Sequence, residues 1–204
     1  MRIEIAGALS CGKSTLAALL SREGHAVVYE DLSTNPYLDL RVEDPEKYDF
    51  LCQRQFVLDK IHSLEKAQRL GGDFFSDFSI AAERAYVSHY VAHRPDWIGS
   101  LTALMDQSEA DLGLPSLVIY LQCDAAEQLE RIRVRGRAFE QGHDVAFIQA
   151  INRLVDAQVQ RLEGLGVPLV GYRTDLFSWD EIAADLFERR LPAAGYRIHG
   201  SVAA

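Results

Sequence analysis

Residues 7–14 follow the pattern G-x-x-x-x-G-K-S, and this segment constrains the fold of the chain more than any other. An apolar run over residues 3–6 leads into it, and a helical pattern that begins at Thr15 follows it. A strand, a glycine-containing loop and a helix in this order form a phosphate-binding loop, because glycine lets consecutive backbone N–H groups turn toward one anion. The positive end of the helix points at the same anion. We therefore expect a nucleotide-phosphate site, with Lys13 on the phosphates and Ser14 on Mg²⁺.

The composition limits the partners that the chain is expected to have. Its 204 residues suffice for one domain with a complete core. The formal net charge of −9 argues against an extended nucleic-acid surface, which normally carries a basic stripe. No apolar run has the length of a membrane span, and the first residues lack the features of a secretion signal. Three widely separated cysteines fit free thiols in a reducing compartment. We expect a cytoplasmic protein with no nucleic-acid or membrane partner.

Short apolar runs alternate with stretches of helical periodicity along the chain. The apolar runs are nearly continuous, as in strands that are buried on both faces, and cover residues 3–6, 26–29, 73–76, 117–121 and 167–171. The helical stretches cover residues 14–21, 46–70, 81–93, 97–112, 125–135, 145–164 and 179–189. This alternation predicts an α/β fold with a doubly wound, parallel five-stranded sheet flanked by helices. We expect a single domain over residues 1–190 and a loose C-terminal tail over residues 191–204.

Acidic residues follow the predicted second and third strands. Glu30 comes after the second strand and Asp77 after the third. In open α/β sheets ligands bind beyond the carboxyl ends of the strands, so both acids should lie near the phosphate-binding loop. A carboxylate there can hold Mg²⁺, directly or through water, or accept a proton from an attacking hydroxyl. For Asp77, which precedes Ser79 and a helix, capping of that helix is an alternative.

An arginine-rich segment, Arg-Ile-Arg-Val-Arg-Gly-Arg, covers residues 131–137 of this acidic chain. Arg131 and Arg135 are one helical turn apart, and Gly136 provides a flexible point. Arginine is always charged and binds oxyanions with two hydrogen bonds, so the segment fits a mobile lid over about residues 131–141 that closes on a transferring phosphate. A solvated helix face, paired with neighbouring glutamates, is the alternative.

With these segments the chain resembles the deoxynucleoside kinases, the group that contains deoxycytidine, deoxyadenosine and deoxyguanosine kinases. The shared motifs are the phosphate-binding loop with Lys-Ser-Thr, Tyr-Glu at 29–30, Asn-Pro-Tyr-Leu at 35–38, Glu-Asp-Pro-Glu-Lys-Tyr at 43–48, Asp-Phe-Ser-Ile at 77–80 and Arg-Gly-Arg-Ala-Phe-Glu at 135–140. Many NTPases share the first motif, whereas the others, in this order and spacing, are far more specific.

The resemblance implies a nucleoside-kinase-like P-loop domain. It further implies Mg²⁺-dependent phosphoryl transfer from ATP, or another NTP, to the 5′-hydroxyl of a deoxynucleoside or nucleoside-like small molecule. Glu30 would be the general base, and the other implied catalytic residues are Lys13, Arg135 and Arg137. The family is usually dimeric through helices next to the sheet, so a homodimer is expected.

The resemblance also assigns binding residues. On the donor side it implies ATP contacts from Gly7, Ser10, Gly12, Lys13, Ser14, Thr15, Arg131, Asp175 and Phe177, and metal ligation by Ser14 and Asp77. On the acceptor side it implies Gln53 on the nucleobase edge and Glu140 on a sugar hydroxyl, together with Phe78, Glu83 and Arg84.

The acceptor side departs from the family pattern. Phe78 stands where the family has an arginine at the 5′ end of the nucleoside, and Arg54 or Arg84 could replace that arginine. Val42 stands where the family often has a tyrosine that holds the sugar 3′-hydroxyl, and Lys60 where an arginine is common. Two alternatives therefore stay open: a kinase of another acceptor, such as a nucleotide or a modified-base hydroxyl, and a nucleotide-binding protein that has lost catalysis.

Overall fold

The protein is described by a computed structural model over residues 1–140 and 142–196. Five parallel strands form one sheet with the order β2-β3-β1-β4-β5. The strands are β1 (Arg2–Ala6), β2 (Val27–Val28), β3 (Phe74–Ser76), β4 (Leu117–Gln122) and β5 (Leu169–Arg173). Helices cover both faces of the sheet, so the prediction of a doubly wound parallel α/β fold is confirmed.

The helices agree with the predicted periodic stretches and add two short ones. They are α1 (Lys13–Arg22), α2 (Leu40–Glu43), α3 (Pro45–Leu70), α4 (Ile80–Tyr90), α5 (Pro95–Leu112), α6 (Ala125–Arg135), α7 (Val145–Gly164), α8 (Trp179–Asp185) and α9 (Leu191–Ala193). Short 3-10 turns cover Leu32–Thr34 and Ala138–Glu140, and a π turn covers Leu186–Arg190. No helix of the described ranges is long and apolar enough to cross a membrane.

Local sequence signals set the ends of the helices that carry the site. The Asp44 carboxylate accepts the N–H of Lys47 at the start of α3, where Pro45 is the first residue. The Asp124 carboxylate caps α6 in the same way. At the other end of α6, Gly136 has a left-handed backbone with φ 70°, which stops the helix and turns the chain toward the predicted lid.

The core lies on both faces of the central strand β1. Ile3 and Ile5 point toward the face that is covered by α1, where they pack with Leu16 and Leu20. Ala6 belongs to the apolar cluster on the opposite face, against α4 and α7. Because alternate residues of a strand point to opposite faces, this short apolar strand joins both halves of the core and leads directly into the phosphate-binding loop.

The end of the described chain is packed, not loose. Leu191 is fully buried and Tyr196 is 5% exposed. The Tyr196 ring lies 5.2 Å from the ring of Phe75 on β3, and its hydroxyl lies 3.1 Å from Nδ1 of His25. The predicted tail was therefore wrong for residues 191–196, because their apolar side chains complete the core on the α1 face. Residues 197–204 of that prediction lie outside the described residues.

Candidate active site

The loop between β1 and α1 has the backbone of a phosphate cradle. Gly7 and Gly12 have φ values of 150° and 99°. A Cβ atom on Gly7 would lie 2.4 Å from Sγ of Cys11, and one on Gly12 would lie 2.6 Å from the Trp179 ring. Glycine is therefore required at both positions. The Lys13 ammonium donates to the carbonyl groups of Gly7 and Ala8, at 2.9 and 2.8 Å, so it lies over the loop.

A cavity of about 150 Å³ opens beside this loop at the carboxyl edge of the sheet. It brings together the predicted phosphate, acid, lid and acceptor residues, namely Gly7, Ser10, Lys13, Ser14, Glu30, Gln53, Asp77, Phe78, Glu83, Arg135, Arg137 and Glu140. These residues come from five separate segments of the sequence. The strand order favours this convergence, because it places the end of β3 next to the end of β1 and the end of β2 next to that of β3.

Asp77 lies in the part of the cavity beside the phosphate-binding loop, which is called the donor half here and is lined by Gly7, Ser10, Lys13, Ser14 and Asp77. It is buried, and its Oδ1 atom has no hydrogen-bond partner within residues 1–140 and 142–196. Burial raises the pKa of this carboxyl group, although the charge of Lys13 and a hydrogen bond with Ser14 act in the opposite direction. Ser79, not Asp77, caps α4 by accepting the N–H of Ala81, so the capping alternative for Asp77 is wrong.

Glu30 lies between the phosphate-binding loop and the rest of the cavity, which is called the acceptor half here and includes Gln53, Phe78, Glu83 and Glu140. Its Oε1 atom is 2.6 Å from Nζ of Lys60, and a second carboxylate, Glu83 Oε2, is also 2.6 Å from this ammonium. Burial alone would raise the pKa of Glu30, but the charge of Lys60 outweighs it and the pKa is lowered. Glu30 is therefore ionised near neutral pH and can accept a proton.

The lid segment is held by an internal ion pair. Arg135 donates to both oxygens of Glu140, at 2.6 Å each, and Arg137 lies 3.7 Å from the same carboxylate. Glu140 is buried and both arginines are partly exposed at the cavity. The guanidinium groups therefore line the cavity while one carboxylate of the protein neutralises part of their charge.

The remaining predicted donor residues do not line this cavity. Arg131 donates to the carbonyl group of Thr174 at 3.0 Å and to its hydroxyl at 3.1 Å, and that hydroxyl donates to the Cys11 carbonyl group. Asp175 pairs with Arg173, and Phe177 is 51% exposed. Thr15 lies in the first turn of α1. Their contacts with ATP remain predictions.

The acceptor half contains polar atoms that face no protein partner. Gln53 is 1% exposed, and neither its Oε1 atom nor Oε1 of Glu83 has a hydrogen-bond partner in the described part of the chain. Both residues line the cavity. Because buried polar atoms are normally hydrogen-bonded, these two oxygens indicate that a ligand with hydrogen-bond donors completes this half of the site.

Two cavity cations were missed as site residues. Besides Lys60, the Arg41 guanidinium reaches the cavity, where it stacks on the Tyr90 ring at 3.8 Å and pairs with Asp49 at 2.9 Å. The adjacent Val42 is 55% exposed. The direction of Arg41 could not be read from the sequence because α2 has only four residues, too few for a periodic pattern.

One predicted substrate contact is wrong. Arg84 pairs with Asp106 at 2.8 Å and Glu109 at 3.2 Å, both on α5, and it does not line the cavity. The reason is the helical period: neighbouring residues on α4 point about 100° apart, so Glu83 faces the cavity while Arg84 faces α5. Arg54 is exposed on α3, so neither proposed replacement for the arginine missing at Phe78 lies in the site.

The donor half fits a nucleoside triphosphate and Mg²⁺. The glycine backbone, the ammonium of Lys13 and two lid guanidinium groups match the negative charge of phosphates. The unpartnered oxygen of Asp77 beside Ser14 matches the oxygen ligands that Mg²⁺ takes together with phosphates. An ionised carboxylate, Glu30, stands beside this half of the cavity. The arrangement can transfer a phosphoryl group to a hydroxyl that binds near Glu30.

Known proteins with similar sequences and folds agree with this chemistry. A family model described as "Deoxynucleoside kinase" matches residues 3–189. The chain is similar to deoxyguanosine kinase of Bacillus subtilis (strain 168), with 28% identity over 171 residues that cover 79% of each chain. It is also similar to deoxyadenosine/deoxycytidine kinase of the same organism, with 28% identity over 149 residues that cover 68% of this chain and 67% of the relative.

Solved structures show the same fold. Deoxyadenosine kinase from M. mycoides with bound dATP superposes with a TM-score of 0.77 at 19% identity, covering 94% of this chain and 99% of that one. Its structure with bound dCTP gives a TM-score of 0.76 at 18% identity, covering 95% and 100%. Since the family match extends over most of the sequence, the chain belongs to the deoxynucleoside kinase family and is an enzyme of that kind, a phosphotransferase.

Proposed function

We propose that the protein transfers the γ-phosphoryl group of ATP to the 5′-hydroxyl of a deoxynucleoside, with Glu30 as the general base. The observation that supports this most directly is the position of an ionised Glu30 in the same cavity as Lys13 and the lid arginines. Phosphoryl transfer needs a positioned hydroxyl, a group that accepts its proton and cations that stabilise the charge of the transferring phosphate.

In this mechanism Glu30 takes the proton of the acceptor hydroxyl. The hydroxyl oxygen forms a bond with the γ-phosphorus, and the bond between that phosphorus and the β,γ-bridging oxygen breaks, so that its electron pair leaves with ADP. Lys13, Arg135 and Arg137 donate hydrogen bonds to the phosphate oxygens, on which negative charge is shared during transfer. Ser14 and Asp77 would hold Mg²⁺, which supplies further positive charge beside the phosphates.

On the acceptor side, Gln53 and Glu83 would bind the nucleobase and Glu140 a sugar hydroxyl. The unpartnered Oε1 atoms of Gln53 and Glu83 support this assignment, because a nucleobase carries N–H donors that can satisfy them. Phe78 lines the same cavity with an apolar ring and is buried among other apolar side chains, so we assign it to packing against the acceptor.

The test is an ATP-consumption assay with purified protein against all deoxynucleosides, ribonucleosides and their monophosphates. We expect turnover with at least one deoxynucleoside. Replacement of the base, Glu30→Gln, should lower kcat by about 100-fold or more while ATP still binds. The matched control is Asp31→Asn, since Asp31 is exposed and only caps the turn that follows. Full activity of Glu30→Gln would reassign the base.

A second acceptor class is favoured by Arg41. The Arg41 cation lines the cavity. At the next position the family resemblance leads one to expect a tyrosine that holds the sugar 3′-hydroxyl, but that residue is Val42, which is 55% exposed. A guanidinium is suited to an anionic group such as a phosphate, so a nucleoside monophosphate is the alternative acceptor. Turnover that is confined to monophosphates in the same assay would select this alternative.

We also propose that the protein forms a homodimer, on the basis of the family resemblance. Light scattering of the purified protein should give twice the mass of one chain, and a monomeric mass at assay concentration would contradict this.

A further inference from the structure

Lys60 lies between two carboxylates in the wall of the cavity. It is in the middle of α3 and is 7% exposed. Its ammonium contacts Glu30 from the segment after β2 and Glu83 from α4, each at 2.6 Å. One cation therefore ties together three separate elements, and it links the base at the donor side to a carboxylate in the acceptor half.

Glu30 needs such a tie because its own backbone is weakly supported. It follows β2, an edge strand of only two residues, and precedes a short 3-10 turn. Residues 29–31 belong to no regular element. A side chain that starts from irregular backbone can adopt many positions, and a general base must be held within a narrow range of positions to accept a proton. The long, well-packed helix α3 supplies the rigid support that β2 lacks.

The other cations of the cavity are engaged elsewhere. Lys13 donates to two carbonyl groups of the phosphate-binding loop, and Arg135 and Arg137 lie at Glu140. The charges of Lys13 and Arg137 act on Glu30 without a salt bridge to it. Arg41 is paired with Asp49. Within residues 1–140 and 142–196, the contact with Lys60 is the one salt bridge that Glu30 forms. Residue 78, where the family has an arginine, cannot contact Glu30 in place of Lys60, because it is the buried and uncharged Phe78.

We propose that Lys60 is the positioning residue of the general base. Its ammonium holds Oε1 of Glu30 and leaves Oε2 free to accept the proton of the acceptor hydroxyl. The same ammonium holds the carboxylate of Glu83. This inference rests on the proposed function. In the reaction the proton passes from the acceptor hydroxyl to Glu30, while Lys60 neither gives nor takes a proton. Its role as a fixed cation agrees with its pKa: burial would lower the pKa, but the two carboxylates outweigh this and raise it.

The first experiment compares Lys60→Met, Lys60→Arg and the control Lys66→Met, in which the replaced lysine is exposed on the same helix. We expect Lys60→Met to lower kcat by about 100-fold, comparable with the loss of one preorganised electrostatic contact, and to leave the KM for ATP within about threefold. Lys60→Arg keeps the cation and should recover at least about tenfold of that loss. Equal kcat for Lys60→Met and wild type would overturn the proposal.

A double-mutant cycle with Glu30→Gln separates positioning from simple structural support. If Lys60 acts through Glu30, adding Lys60→Met to Glu30→Gln should change kcat by less than about threefold, because the interaction is already lost. A further loss of about 100-fold in that background would overturn the proposal.

Folding is controlled separately, since removing one member of a buried charge group can be strongly destabilising. Thermal melting identifies variants that fail to fold, and Lys60→Gln, which keeps a hydrogen-bond donor without the charge, then replaces Lys60→Met in the same cycle. Wild-type inactivity toward every deoxynucleoside would contradict the proposed function as well, whereas additive losses in an active enzyme would overturn only the role of Lys60.

Discussion

Gly12 of the phosphate-binding loop packs closely against Trp179, a residue that is distant in the sequence. Its φ of 99° is unfavourable for a side chain, and a Cβ atom would lie 2.6 Å from ring atoms of Trp179 on α8. We predict that Gly12→Ala displaces the loop and weakens ATP binding by about tenfold or more, because the left-handed backbone costs about 1–2 kcal/mol and the ring contact adds to it. Calorimetric titration with a non-hydrolysable ATP analogue measures this effect.

Two variants check the cause. Gly164→Ala is the control, since Gly164 ends α7 with open space around it, and alanine there should leave ATP binding unchanged. In Gly12→Ala/Trp179→Ala the steric part is removed and only the backbone strain remains, so ATP affinity should recover partly. Unchanged affinity in Gly12→Ala itself would show that the loop adapts without loss.

At the level of residues, the site residues that could be predicted are those whose role depends on their neighbours in the sequence. The phosphate-binding loop, Glu30 and Asp77 could be predicted because each is defined by a strand end and its neighbouring residues. Lys60 and Trp179 could not be given their contacts, because those depend on how α3 and α8 pack against segments that are 30 and 167 residues away in the sequence. The helical face of Arg84 was within reach of prediction, since the spacing from Glu83 already separates the two side chains.

In the lid, the Glu140 carboxylate competes with the phosphates of ATP for Arg135 and Arg137. Glu140 neutralises Arg135 and lies near Arg137, so a triphosphate has to share these guanidinium groups with it. We predict that Glu140→Gln binds ATP about fivefold more tightly, corresponding to about 1 kcal/mol of removed competition, while the KM for the acceptor rises because the sugar contact is lost. Fluorescence titration and steady-state kinetics measure the two effects.

Glu130→Gln is the matched control for the lid, because Glu130 is on α6, the helix that also carries Arg135, and forms only an exposed, 3.8 Å contact with Arg133. It should change neither quantity. Weaker ATP binding by Glu140→Gln would instead indicate that Glu140 holds the arginines in the orientation that the phosphates need.

The elements whose limits were mispredicted are those whose length depends on pairing. Strand β2 was expected over residues 26–29 but has only two residues, since its ladder with β3 contains only the pairs Val27–Phe75 and Val28–Ser76. Strand β5 begins later than expected, at Leu169, in register with Val118 of β4. The sequence marks apolar runs, whereas the neighbouring strand decides where hydrogen bonding begins and ends.

At the scale of the whole molecule, the first and last parts of the described chain meet on one face of the sheet. Helix α1, which follows the phosphate-binding loop, packs in the same apolar cluster as Leu186, Leu191 and Tyr196. The cluster also contains Ile3 and Ile5 of β1. The strand that leads into the active-site loop is therefore supported by residues that are almost the whole chain apart, and the stability of the fold should depend on this contact.

Tyr196 provides the test of that dependence. We predict that Tyr196→Ala lowers the free energy of unfolding by about 3 kcal/mol, because a buried ring that contacts Phe75 and His25 is replaced by a cavity. Tyr196→Phe keeps the ring and loses only the hydroxyl beside His25, so it should cost about 1 kcal/mol. Urea unfolding followed by circular dichroism measures both values. Equal, small losses would mean that the end of the chain is peripheral to the core, whereas a large loss confined to Tyr196→Ala would show that the core depends on the packed ring.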